Sequence, residues 1–155
     1  MKNFRGIFGI LTAGIVWYLS MMLFFVLSGA QGILADPEIQ SRKFLDSFFQ
    51  EPLPRVAGNP LIVPIGLIVI GAIAGGVFLW LNDKLGTGWF RRGIAFGLIQ
   101  WALMIPWFEF YLPFNVMLEP LALVLLEMLL WLGVTLTVGI YLSFIFNFAS
   151  KAKGK

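Results

Sequence analysis

An all-α membrane protein with four transmembrane helices is the fold class that this sequence predicts, and three observations predict it. Hydrophobic residues make up 59% of the 155-residue chain and charged ones only 12%, against about 25% charged in soluble domains; mean hydropathy is +0.89. The apolar residues arrive in four long blocks, Gly6 to Leu27, Pro60 to Leu81, Trp89 to Tyr111 and Pro120 to Phe148. Each exceeds the roughly 20 residues that carry a helix across a ~30 Å hydrocarbon layer. Period-two alternation is absent, so the backbone groups are satisfied within helices rather than around a closed barrel. The expected spans are residues 6–28, 60–82, 89–112 and 120–148, in one domain covering 1–155, with an outer loop at 31–59.

Span one opens on Lys2 and Arg5 and closes on Ser28-Gly29-Ala30. A basic start and small residues resemble a cleaved signal peptide, but the apolar run is longer than the ~7–15 residues usual there. It is read as a retained span. Gly6, Gly9 and Gly14 lie along it, small residues that let helices approach closely.

The outer loop is the one sizeable segment between spans. Asp36 suits a helix N-cap and Pro37 the first helical position, and Ile39, Phe44, Leu45, Phe48 and Phe49 gather on one side of a short amphipathic helix. Such a helix is expected on the outer membrane surface. It reads as a lid or docking platform, or, more economically, as a connector burying its Phe side chains against the bundle. Pro52, Pro54, Gly58 and Pro60 then end it and turn the chain into span two.

Span two carries Gly71-x-x-x-Gly75 with Gly66, Ala72 and Gly76 nearby, a pattern that serves packing within the bundle or between copies of the chain. Span three starts at Arg91 and Arg92 and contains Pro106, which should kink the helix or free a carbonyl and so favours a cavity. Glu109 sits there among Trp107, Phe108, Phe110 and Tyr111, an interfacial aromatic belt from which it can reach water. Glu119-Pro120 opens span four as a capped helix start, its carboxylate at the positive end of the helix dipole.

Glu127 is the exceptional residue. It lies inside the run Leu121 to Leu130, eight residues beyond Glu119 and so about 12 Å deeper along a helix. A carboxylate in hydrocarbon is protonated, hydrated in a cavity or paired. With no Lys or Arg deep enough to pair, its candidate partners are Gln100, Tyr18 or a residue of another subunit. Glu127, Gln100, Glu109 and Tyr18 are thus the candidate ligand or proton site, and a neutral acid hydrogen-bonded between helices is the structural alternative.

Orientation follows from Lys and Arg. The N-terminus, the second loop (Lys84, Arg91, Arg92) and the tail (Lys151, Lys153, Lys155) are basic, whereas in the first loop Arg42, Lys43 and Arg55 are offset by four acids and the third loop has none. Both termini are expected in the cytoplasm, in a cell membrane of the bacterial inner-membrane kind. The same counting explains the formal charge of +3 without nucleic acid, for which no basic stripe with interleaved aromatics exists. Arg5-Gly6-Ile7-Phe8-Gly9 resembles Arg92-Gly93-Ile94-Ala95-Phe96-Gly97, and Gly76-Val77-Phe78-Leu79 resembles Gly139-Ile140-Tyr141-Leu142. Two tandem hairpins in a parallel repeat are one explanation; chance in Gly-rich apolar sequence is the other.

The chain has no Cys and no His, which removes disulfides, thiolate nucleophiles, haem ligation by His, iron–sulfur clusters and the usual zinc sites. Neither Gly-rich phosphate motif occurs, and no cofactor or metal is expected. Size and span number look like those of membrane-associated glutathione and eicosanoid enzymes, but the Arg and Asn motifs of those helices are missing. The small multidrug transporters also have four spans and a membrane Glu, but theirs is in the first helix of a shorter chain. In topology the chain resembles the tandem-hairpin four-span bacterial membrane proteins, a resemblance that carries no site assignments. The function expected first is a non-catalytic accessory subunit or oligomeric scaffold, a homo-oligomer or part of a larger membrane complex. The alternative is a small proton- or cation-coupled transporter or channel using Glu127; a lipid-modifying enzyme comes third for want of a nucleophile or metal.

Overall fold

The computed structural model describes the backbone of residues 2–151 and the side chains of residues 8–147. The side chains of Lys2, Arg5 and Lys151, the residues Lys153 and Lys155, and the packing of Gly6 lie outside that description. Among the described residues every regular element is helical: α1 (Lys2–Met21), α2 (Ala30–Leu34), α3 (Arg42–Phe49), α4 (Arg55–Gly58), α5 (Ile62–Leu81), α6 (Trp89–Glu109) and α7 (Leu121–Lys151), with π-helical turns at Met22–Leu27 and Phe110–Val116 and a short 3₁₀ turn at Asn82–Lys84. Four segments are long and apolar enough to cross a membrane: Phe8–Leu27, Ile62–Lys84, Trp89–Val116 and Leu121–Asn147.

The third span runs past the expected residue 112 because its helix widens rather than stops. Pro113 lies inside the π turn and has no N–H to offer the carbonyl four residues back, so the next amide is the nearest available donor. Both π turns end alike. Ser28 N–H donates to Leu23 O (3.1 Å) and Met117 N–H to Leu112 O (2.9 Å), each a five-residue closure, and each is followed by a left-handed residue, Gly29 (φ 80°) and Leu118 (φ 59°).

Packing proceeds through hairpins. α1 packs on α5, α6 on α7, and the hairpins join through α1 and α7. Gly14 and Gly71 bring α1 and α5 together: a Cβ added to Gly71 would strike the Gly14 backbone, and one on Gly14 would lie 2.5 Å from Ile68 Cα. Gly75 faces Ile10, Gly9 faces Phe146 and Ile145 of α7, and Gly76 meets nothing within 4 Å. The α6–α7 seam closes on Gly93, Gly97 and Gly139; a Cβ on Gly139 would collide with the Gly93 carbonyl, and one on Gly97 would lie 2.7 Å from Thr135 O.

The start of α1, the end of α7 and the 82–88 connection share one end of the bundle, here the tail end, and residues 28–61 and 117–120 share the other, the loop end. Nearer the tail end the core is sealed by Phe78, Phe96, Val134, Val138 and Leu142, all without solvent exposure. Phe78 meets the edge of Phe96 at 5.1 Å and stacks on Phe146 at 5.6 Å, which ties α5, α6 and α7 together there.

The loop helix begins later than the sequence suggested. Asp36 and Pro37 form a turn, with Asp36 Oδ1 accepting from Glu38 N–H (2.9 Å). The cap is Ser41, whose Oγ accepts from Phe44 N–H at 3.0 Å. Pro at the second residue of a tight turn satisfies its fixed φ as well as a helix start does, so Asx-Pro alone does not separate the two. No residue of α3 is buried; Phe49 is 68% exposed, so these aromatic rings are not buried against the bundle.

Candidate functional site

The loop end of the α6–α7 hairpin gathers three carboxyl groups. α6 and α7 run antiparallel from the Gly93/Gly97–Gly139 contact, and helical side chains tilt toward their own N-terminus. Glu109, at the last turn of α6, therefore leans inward, while Glu127, two turns into α7, leans outward, and the two meet across the seam within reach of each other, with Trp131 beside Glu109. Glu109 has no solvent exposure, and neither of its oxygens has a hydrogen bond of ordinary geometry. Two carboxylates are acceptors only, so this pair bonds only through a proton carried by one of them or through a cation between them.

Glu119, between the π turn and α7, is the third carboxyl, 2% exposed. It does not cap its helix: Oε1 accepts from Gln40 Nε2 at 2.7 Å, and Oε2 has no partner among the described residues. Gln40 also donates to Leu34 O (2.9 Å), and the neighbouring Ser41 Oγ donates to Met117 O (2.5 Å). Burial pushes the Glu119 carboxyl up from its ordinary value to about 7; the Gln40 bond pulls against that rise, and the nearby Glu127 adds to it. The left-handed turn at Leu118 sets its position, with Glu119 N–H donating to Pro113 O at 2.9 Å.

Of the candidates from the sequence, the fold brings Glu109 and Glu127 together, and Glu109 is enclosed rather than open to water. Gln100 stands apart. Its neighbour Trp101 donates its indole N–H to Met128 O (2.9 Å), which puts Gln100 at the level of Glu127's turn, yet the buried Oε1 of Gln100 has no partner among the described residues. Tyr18 packs half-buried against the apolar core of α1, α5, α6 and α7.

Gln40, Ser41 and Trp131 were not singled out from the sequence, and neither was the glycine seam of α6 and α7. One signal was available for the seam. Trp89, Gly93, Gly97, Trp101, Ile105 and Glu109 repeat every fourth residue on α6, as do Glu127, Trp131, Thr135, Gly139 and Ser143 on α7. Those rows are the ridges along which two helices interlock, and Ser143 Oγ donating to Trp89 O at 2.6 Å marks their tail end. No comparable signal exists for Gln40, whose partner is 79 positions away.

Toward the tail end the carboxyl pair is walled off by the Gly93/Gly97–Gly139 contact and the Phe78–Phe96 core. The site therefore lies on the loop side of that core, where the loop reaches it through Gln40 and Glu119. The three carboxyls do not form a metal-holding set among the described residues. In comparison with known proteins, the chain matches no family model, no curated protein and no solved structure.

Proposed function

We propose that this chain is a small membrane transporter that takes up a proton or a monovalent cation at the Glu109–Glu127 pair from the loop side. The observation that carries the reading is Glu109: a carboxyl with no solvent exposure, inside a membrane span, whose polar neighbours are the carboxyls of Glu127 and Glu119 and the Trp131 indole, and which has no basic partner among the described residues. A bundle needing only stability gains nothing from two acids placed face to face in an apolar seam. The accessory-subunit reading draws on a lack of reactive residues, on the small-residue faces and on the amphipathic outer loop; the carboxyl pair weighs against the first of these.

Lys84, Arg91 and Arg92 at the tail end favour its placement in the cytoplasm, which has the site opening outward from a cell membrane, with α3 lying along the outer surface. The sealed tail half argues for alternating access rather than a standing pore, with the two hairpins as the natural moving bodies. Their descent from a duplication is supported by the π turns: Met22 and Phe110, where they begin, are 88 positions apart, the same offset that separates Gly9 from Gly97. Four helices enclose little volume, so a homo-oligomer fits this reading.

The test is flux in proteoliposomes holding a pH-sensitive dye, under an imposed pH gradient and then under Na⁺ or K⁺ gradients, together with native mass spectrometry of the protein extracted with its lipids. Wild-type protein carries flux that drops to the level of empty vesicles in Glu127→Gln and in Glu109→Gln. Equal flux in wild type and variants overturns the reading. So does an absence of flux from a protein that copurifies in fixed stoichiometry with a larger partner, which would restore the accessory subunit.

A further inference from the structure

We propose that the segment from Ser28 to Gln50 is a lid over the acidic site, latched by Gln40 on Glu119 and by Ser41 on the Met117 carbonyl. The inference rests on the reading of that site as a point of ion uptake. The segment is lightly held. No residue of α3 is buried, and α3 packs closely on none of the spans; segments with so few buried contacts occupy the low-stability end of a fold.

Gln40 is the buried polar residue within it, 6% exposed like Ala30 and Leu34 of α2, and its amide is fully used. Nε2 donates to Leu34 O and to Glu119 Oε1, and Oε1 accepts from Ser41 N–H at 2.7 Å. A buried amide is tolerated when its bonds are made and is costly when they are not, so this residue has two consistent states, closed and bonded or open and hydrated. Ser41 couples the latch to the lid helix, because the hydroxyl that donates to Met117 O also accepts the Phe44 amide that starts α3. Gly29, left-handed at φ 80° and with open space where a Cβ would stand, is the hinge at the root of the segment.

The charge around the latch supplies a trigger. Glu119 is faced by Gln40 from the loop, by Glu127 from α7 and by Glu109 from α6, so an ionised Glu119 has no counter-ion among the described residues while the lid is shut. Burial raises its carboxyl to about 7 in the closed state, whereas an open, hydrated Glu119 returns to the ordinary value of 4.5. For an acid raised in the closed state, closure is favoured fully below 4.5, loses ground as pH rises toward about 7, and gains no further penalty above it.

Hydrogen exchange of the full chain in lipid nanodiscs, corrected for the intrinsic pH dependence of amide exchange, tests this. In wild type the amides of residues 30–45 exchange about tenfold faster at pH 8 than at pH 5. Gln40→Leu exchanges fast at both values, and Glu119→Gln, which keeps an acceptor but cannot ionise, exchanges slowly at both; unchanged protection in α6 and α7 verifies the fold in each. Slow exchange in Gln40→Leu, or a pH step that persists in Glu119→Gln, overturns the lid. If exchange behaves as stated but flux ignores Glu127, the transport reading fails and the lid stands; flux that needs Glu127 with exchange blind to Gln40 and pH removes the lid alone.

Discussion

The two hairpins use the same device in different places, and the placement separates a structural half from a chemical one. In α1–α5 the glycine contact, Gly14 on Gly71, lies mid-span, so the helices stay near each other over much of their length, and the span residues around it are apolar. In α6–α7 the contact, Gly93 and Gly97 on Gly139, lies toward the tail end. From there the seam continues through Trp101, whose indole N–H donates to Met128 O, and Trp131 to the loop end, where Glu109 and Glu127 face each other. The off-centre glycine seam thus closes one half of the hairpin by backbone contact and leaves the other half to side-chain contacts.

The strongest way to break this comparison is to fill the seams. Gly139→Ala places a methyl group on the Gly93 carbonyl, and Gly71→Ala places one on the Gly14 backbone. Neither neighbour is a flexible side chain, so helix must move against helix. Each substitution should lower stability by about 3 kcal/mol, measured by thermal or denaturant unfolding in detergent or nanodiscs. Gly76→Ala, with nothing within 4 Å, should leave stability unchanged or slightly raised through helix propensity. A loss in Gly76→Ala equal to that in Gly139→Ala would show that the helices do not close on the Gly93–Gly139 contact.

Much of the fold was legible because the membrane makes it so. Long uncharged runs leave the backbone no option but helix, and the four spans follow from composition and block length. Glu127 stood out for the same reason, as a charge where none is tolerated. Its partner did not, because a Glu inside an aromatic belt reads as interfacial, and the π turn that carries the third span on to Val116, leaving Glu109 inside the seam, depends on how Pro113 is accommodated. The Gln40 latch was illegible for another reason. Polar residues in a loop all resemble solvated ones, and only the closure of the chain over 79 positions makes this one buried.

A second experiment sharpens the comparison by making the chemical hairpin resemble the structural one. Replacing both acids, Glu109→Leu with Glu127→Leu, removes a buried carboxyl and a half-buried one, each of similar volume to leucine, from an apolar seam. Buried polar pairs are often replaced by hydrophobic residues at no loss or with a gain, whereas removing one member strands the other. The double variant should be more stable than wild type by about 2 kcal/mol and inactive in flux, with either single variant falling below the double. A double variant less stable than wild type would mean that the pair serves to hold the helices together.

The smallest expected effect compares the two π turns at their ends. Each is followed by a left-handed residue, but the first hairpin uses Gly29 where the second forces Leu118, 62% exposed, to φ 59°. For a residue with a Cβ that conformation costs roughly 1–2 kcal/mol, while glycine adopts it freely and gives back part of the gain through the greater freedom of its unfolded chain. Leu118→Gly should therefore raise stability by about 0.5 kcal/mol, and Gly29→Ala should lower it by about 1 kcal/mol. The first change also bears on the site. The strained turn aims Glu119 at Gln40 through the Glu119 N–H to Pro113 O bond, and a relaxed glycine holds that aim less firmly. Exchange at residues 30–45 should thus quicken in Leu118→Gly even as the protein grows more stable; a variant that gains stability with the loop equally protected would show that the strain at Leu118 has no part in seating Glu119.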